Sequence, residues 1–421
     1  MRSAHEQEPL LLTEVKARSP DSTTSLIDNY SFNILKDNLR KRVIMAAIAV
    51  SGLGLAIPSQ RTASASQESQ TKIIGVVEDL RDPSTDYLKA RLDMIRQLGA
   101  NAVGYDTTWQ EGQAEAISEV KILEAPVKEA IARGMEPIIR FYPCFSRDTT
   151  DAMKCHYPFR PSGEKMFVTA LSNLAKGLPD VRRWVIGNEP NSWRFLFPQY
   201  GEHNESLAPA VYTRLLVRSY DALKEISPEN QVICGALASV GYDNPGAKRE
   251  SHSVIKFIEG MAVEYKRLGR KKPFCDVIDI HPYGETINES PTATHSNKTI
   301  AFSDLGKLKE AWNKAFSNTA QPINLPIFLL EYGIDTEIPA DKKRLYTGSS
   351  GPRVSEIIQA KYYRQAVRMV RCNPDVSAML LLHAIDEKDL SGWQSGVYYI
   401  DHSPKRSFNS VSQEITSPTN C

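Results

Sequence analysis

An excess of either charge is missing from this sequence. There are 51 lysines and arginines against 50 aspartates and glutamates, a net charge of +1. That balance removes the electrostatic case for a nucleic acid or an anionic membrane surface as partner. Histidine and cysteine are few, 8 and 6 in 421 residues, and their spacing makes no zinc-type cluster. No glycine-rich phosphate cradle opens a helix after an apolar run. No internal repeat of the solenoid kind is visible. The uncharged stretch "VIMAAIAVSGLGLAI" (43–57) is short of the ~20 residues that a membrane-spanning helix needs. With 41% hydrophobic and 24% charged residues, what is present is an ordinary globular composition.

The first 72 residues stand apart from the rest. Residues 1–42 are polar and end in the basic "KDNLRKR", the apolar segment 43–57 follows, and Ala63-Ser64-Ala65 supplies small residues. Basic flank, short apolar core and small-residue site resemble a secretory signal cleaved after Ala65, which predicts a secreted or cell-surface protein. The alternative is an uncleaved amino-terminal anchor, the one case in which a membrane would be a partner. Residues 58–72 then read as a flexible linker. Of the cysteines, Cys144 and Cys155 flank a short polar loop that a disulfide would close if their Cα atoms approach within ~7 Å. Cys234 and Cys275 sit in apolar runs and read as small buried hydrophobes.

From residue 73 onward, short β-rich runs alternate with longer amphipathic stretches. The runs fall at 72–78, 101–106, 136–142, 182–189, 231–237, 276–283, 326–331 and 377–384. Between them, segments such as "STDYLKARLDMIRQLG" and "SHSVIKFIEGMAVEYKRLG" repeat apolar residues three and four apart, as a helix laid on a sheet requires. Strand–helix alternation of this kind implies parallel pairing, since each crossover returns the chain to the same edge. Eight such units predict an α/β fold, a (β/α)8 TIM barrel, over 73–409. A non-globular amino-terminal segment precedes it, and 410–421 reads as a carboxyl-terminal tail.

Chemistry in such a barrel lies at the carboxyl ends of the strands. There the third run ends with Arg140 and Tyr142, and the fourth, "RRWVIGNEPNSW", with Asn188 and Glu189 stopped by Pro190. The sixth ends with Asp279, His281 and Tyr283, and the seventh with Glu331. Period-two alternation puts Asp279, His281 and Tyr283 on one face, and Glu331 on the face of Ile327 and Leu329. A carboxylate beside a packed core is costly unless it has partners or a task. Two of them across one barrel mouth match the demands of glycosidic bond cleavage, with one carboxyl group protonated as the acid and the other ionised.

"IGNEPN", "HPY" and "LLEYG" together resemble the retaining TIM-barrel glycoside hydrolases of the cellulase-like superfamily clan. The resemblance implies that Glu189 is the acid/base and Glu331 the nucleophile. It further implies that Asn188 contacts the sugar 2-hydroxyl, that Tyr283 hydrogen-bonds the nucleophile, and that His281 is the histidine of a His-x-Tyr element. An oligo- or polysaccharide with β-linkages would be the substrate, and no metal or organic cofactor is expected. Many members place a tryptophan at the end of strand eight, where this chain has His383; Trp393 stands ten residues further on.

Trp193, Trp109 and Trp393 are candidate platforms for the C–H faces of a sugar, and Arg140 for orienting Glu331 or substrate. Trp184 and Trp312 fall at core positions of the periodic pattern. The rival reading is a barrel that holds carbohydrate without cutting it.

Overall fold

The computed structural model describes residues 72–78, 85–109, 115–143, 161–286, 288–296, 298–418 and 421. Among these residues, strands and helices alternate from end to end. The first half comprises β1 (Ile73–Glu78), α1 (Thr85–Gln97), β2 (Ala102–Trp109), α2 (Ile117–Ala132), β3 (Glu136–Pro143), α3 (Pro161–Gly177), β4 (Arg183–Ile186) and α4 (Ala208–Ile226). The second comprises β5 (Gln231–Ala238), α5 (Val254–Arg267), β6 (Val277–His281), α6 (Leu305–Phe316), β7 (Ile327–Tyr332), α7 (Glu356–Cys372), β8 (Val376–Leu382) and α8 (Arg406–Thr416). Each strand pairs in parallel with the next, and β8 closes on β1. This is the expected (β/α)8 barrel.

The amphipathic code of the helices explains their seating. In α5, Val254, Phe257, Ile258, Met261, Ala262 and Tyr265 are buried, a stripe with the three-and-four spacing of one helical face. Ser253 starts the helix by accepting the Lys256 N–H, which satisfies one of its orphan donors. Gly269 follows its end with φ 59, a conformation that glycine adopts without a Cβ penalty.

Alternation along the strands sorts two cores. Ile73, Val77, Ile138, Val185, Val277, Phe328, Leu330 and Leu380 fill the barrel interior. Val76, Ile139, Trp184, Ile278, Leu329 and Trp312 belong to the larger layer between sheet and helices. Leu380 occupies space that two glycines leave: a Cβ on Gly75 or on Gly104 would come within 2.6 Å of its methyl carbons.

The structure corrects three expectations. Residues 410–421 are not a tail, because α8 runs to Thr416 and pairs Glu414 with Arg368. Val411 is fully buried and Cys421 is disulfide-bonded to Cys372. Cys234 and Cys275 are likewise joined, with Cα atoms 5.6 Å apart; β5 and β6 are neighbours, which a sequence separation of 41 residues conceals. Finally, β4 ends at Ile186 and β6 at His281, so Asn188, Glu189 and Tyr283 stand just past the sheet. The Cys144–Cys155 pairing and the leader and linker up to residue 71 lie outside the described residues.

Candidate active site

Glu189 owes its position to an unusual piece of backbone. Gly187 has φ 93 and Glu189 φ 38. For a residue with a side chain, the second value costs about 1–2 kcal/mol, so neighbours must hold it. The Glu189 N–H donates to the Ala236 carbonyl at 2.8 Å, and the Glu189 carbonyl accepts the Ser192 N–H at 2.9 Å. Ala236 is available because β5 bulges between Cys234 and Leu237.

The next residues of the turn are pinned from behind. Asn191 donates to the Ala238 and His252 carbonyls at 2.9 and 3.1 Å, and Gln199 Nε2 donates to the Pro190 carbonyl at 3.0 Å. His252 Nδ1 meets Gln199 Oε1 at 2.8 Å, and burial pulls its imidazole down to about 4, so it stays neutral at pH 7. Sequence reasoning did not single out this support; the only signal for it was Asn191 directly after Pro190.

Arg140 on β3 is the hub. It is 5% exposed and grips Asp106 with Nε to Oδ1 at 2.8 Å and Nη2 to Oδ2 at 2.6 Å. Nη1 reaches Asn188 Oδ1 at 2.8 Å and His281 Nε2 at 2.9 Å. Burial alone would lower its pKa, but Asp106 and Glu331 hold it well above the ordinary value. The guanidinium therefore stays charged. His281 presents Nε2 to Arg140 Nη1 and Nδ1 to Glu189 Oε1 at 3.1 Å. Burial lowers its imidazole pKa, but Glu331 and Glu189 outweigh that and raise it.

Glu331 completes the cluster. Burial pushes its carboxyl up, yet His281 and Arg140 outweigh that and hold it below the usual range. The Tyr283 hydroxyl donates to Oε1 at 3.3 Å; burial and then Glu331 push that phenol well above its ordinary value, so it remains a donor. One oxygen each from Glu189 and Glu331 and a nitrogen of His281 lie within 4.8 Å of one another. Such a group can ligate a metal ion, but a cation there would face the Arg140 guanidinium that already neutralises Glu331. The donor set suits an ionised carboxylate better than a metal.

The tryptophans divide. Trp393 packs against the top of the barrel interior and stacks on Tyr283 with ring centres 5.9 Å apart, beside Glu331. Trp193 is half-buried with the Arg249 guanidinium 5.8 Å from its ring centre, so one stacking face is taken. The platform reading of Trp109 is corrected: β2 extends to it, and its ring turns to the helix side, edge-on to Phe167 at 5.6 Å. Trp184 and Trp312 are buried in the same layer.

No protein-family model and no curated protein matches the sequence. Solved structures do match. A family 39 glycoside hydrolase from the gut symbiont Bacteroides cellulosilyticus aligns with TM-score 0.57 and 17% identity, over 84% of this chain and 65% of that one. The fold is one that glycoside hydrolases use. A GH39 β-xylosidase from Caulobacter crescentus aligns with TM-score 0.51 and 17% identity, over 82% of this chain and 71% of that one. GH5_18 from Streptomyces cattleya in complex with GlcNAc aligns with TM-score 0.55 and 15% identity, over 83% and 82%.

Proposed function

We propose that this chain is a retaining glycosidase acting on a β-linked oligo- or polysaccharide. The observation that carries the reading is the approach of Glu189 and Glu331, whose nearest donor oxygens lie within 4.8 Å. Carboxyl groups about 5–5.5 Å apart suit double displacement, whereas about 6.5–9.5 Å leaves room for the water of an inverting enzyme.

Each residue has a task in that sequence. Glu331, kept ionised by Arg140 and His281, attacks the anomeric carbon. Glu189 gives its proton to the departing oxygen and then takes one from the water that releases the glycosyl-enzyme. Tyr283 orients Glu331. Asn188 has its oxygen engaged by Arg140, which leaves its amide nitrogen to meet a sugar hydroxyl. Trp393 offers a flat apolar face at the mouth. The expected leader, together with disulfides at Cys234–Cys275 and Cys372–Cys421, supports a secreted or surface location, since such bonds persist in oxidising compartments. Amino-terminal sequencing of the mature protein tests the leader: Ser66 is the expected first residue.

The deciding experiment is a panel of aryl β-glycosides with the product anomer read by NMR. Retention is expected, with turnover abolished in Glu331→Ala. An inverted product, or activity surviving in that variant, would remove Glu331 as nucleophile. No turnover or glycan cleavage across a broad panel would favour the carbohydrate-holding barrel.

A further inference from the structure

Asp279 is a carboxylate that the proposed chemistry does not use. It lies on β6 beneath His281, fully buried, and burial pushes its carboxyl up to about 6. A group so expensive to bury calls for a compensating interaction. Among the described residues its Oδ2 has no hydrogen-bond partner. Its Oδ1 accepts one bond, from the backbone N–H of Leu330 at 2.9 Å.

That amide sits at an irregular place. Along β7, Phe328 and Leu330 face the barrel interior, while Ile327 and Leu329 face the helices. Regular alternation would then send Glu331 to the helices and Tyr332 inside. Instead Tyr332 packs in the helix-facing layer, and Glu331 meets Arg140 and Tyr283 at the mouth. The β7–β8 register slips between Leu329, opposite Met379, and Tyr332, opposite Leu381. One extra residue is thus accommodated on β7, as in a bulge. The β6–β7 ladder has its last pair at Asp279 and Phe328. Leu330 therefore lies where both ladders lapse, and the Asp279 side chain supplies the missing acceptor.

We propose that Asp279 is a positioning residue, whose side-chain oxygen pins the Leu330 amide and so fixes the bulge that turns Glu331 into the barrel mouth. The inference deepens the glycosidase reading and rests on it only for its catalytic consequence. What the site needs from Asp279 is an acceptor at Oδ1 rather than a negative charge.

The test compares wild type, Asp279→Asn and Asp279→Ala by hydrogen exchange at the Leu330 amide and by steady-state kinetics on an aryl glycoside. Asp279→Asn keeps the acceptor, so Leu330 protection and kcat should stay within about threefold of wild type. Asp279→Ala should speed exchange at Leu330 at least about tenfold. It should also lower kcat by about a hundredfold with KM nearly unchanged, as expected for a reacting group displaced by about 1 Å. Asp279→Ser, too short to reach the amide, replaces the alanine variant if that one does not fold. Unchanged Leu330 exchange in the truncated variant, or equal loss in Asp279→Asn, would overturn the proposal. The exchange arm decides this even if wild type cleaves no glycoside, in which event the glycosidase reading alone fails.

Discussion

Both terminal nitrogens of Arg140 lie 3.1 Å from the same oxygen of Glu331, while its Nε and Nη2 grip the two oxygens of Asp106. One buried cation thus serves two carboxylates, and the geometry of its fork matters as much as its charge. Arg140→Lys keeps the charge but cannot span both partners, and kcat should fall on the order of 10²-fold. With the guanidinium gone, Glu331 loses a partner that lowers its pKa. Its protonation therefore begins at higher pH, and the acid limb of the kcat/KM profile should move upward. A pH–rate profile of wild type and variant checks both statements; an unmoved limb would dissociate Arg140 from Glu331.

Trp393 and Trp109 should respond in opposite ways. Trp393→Ala removes a stacking face beside Tyr283, so KM should rise about tenfold with kcat little changed. Trp109→Ala empties a packed site against Phe167 and should cost about 3–5 kcal/mol of stability without a selective effect on KM. Kinetics and urea unfolding on the two variants separate a platform from a core residue.

Asp279 makes stability depend on pH in a direction opposite to that of most carboxylates. Its folded pKa, pushed up to about 6 by burial, exceeds the ordinary 3.8. The folded protein therefore holds this proton more tightly than the unfolded chain. That contribution is complete below about pH 4 and is lost as pH rises to about 6, a change of roughly 3 kcal/mol. Urea midpoints at pH 4, 5, 6 and 7 should show the decline for wild type relative to Asp279→Asn, which cannot titrate there. Parallel curves would mean that Asp279 keeps an ordinary pKa.

The Cys372–Cys421 bond ties the end of the chain to α7 across 49 residues. Replacing both cysteines by serine should lower stability by about 2–4 kcal/mol. Exchange should rise first in α8, whose Glu414 pairs with Arg368 of α7. Urea unfolding with hydrogen exchange by mass spectrometry reads both effects; unchanged protection in α8 would show that packing of Val411 alone seats the helix.

The alternating pattern carried the barrel in plain view, because a strand buried on both faces and a helix buried on one leave different periods in the residues themselves. The turn that follows β4 was also legible, with Pro190 directly after Asn188 and Glu189, although the strand itself stops earlier, at Ile186. Glu331 shows where periodicity stops being informative. Alternation groups it with Ile327 and Leu329, yet those two face the helices, and a register slip in β7 brings Glu331 to the mouth. A bulge is a property of two ladders and leaves no period in one strand. The same limit hid the turn of Trp109 toward Phe167 and the pairing of Cys234 with Cys275.

The sequence by itself determined which segments become strands and helices, and that acidic, aromatic and basic side chains gather at one end of the barrel. Local periodicity and chain-stopping residues suffice for that, because they act within a few positions. Only the tertiary structure decided which of those side chains meet. The distances among Arg140, His281, Glu189 and Glu331 depend on barrel closure, on two bulges and on a left-handed residue at the end of β4, where contacts from distant segments outweigh local preference.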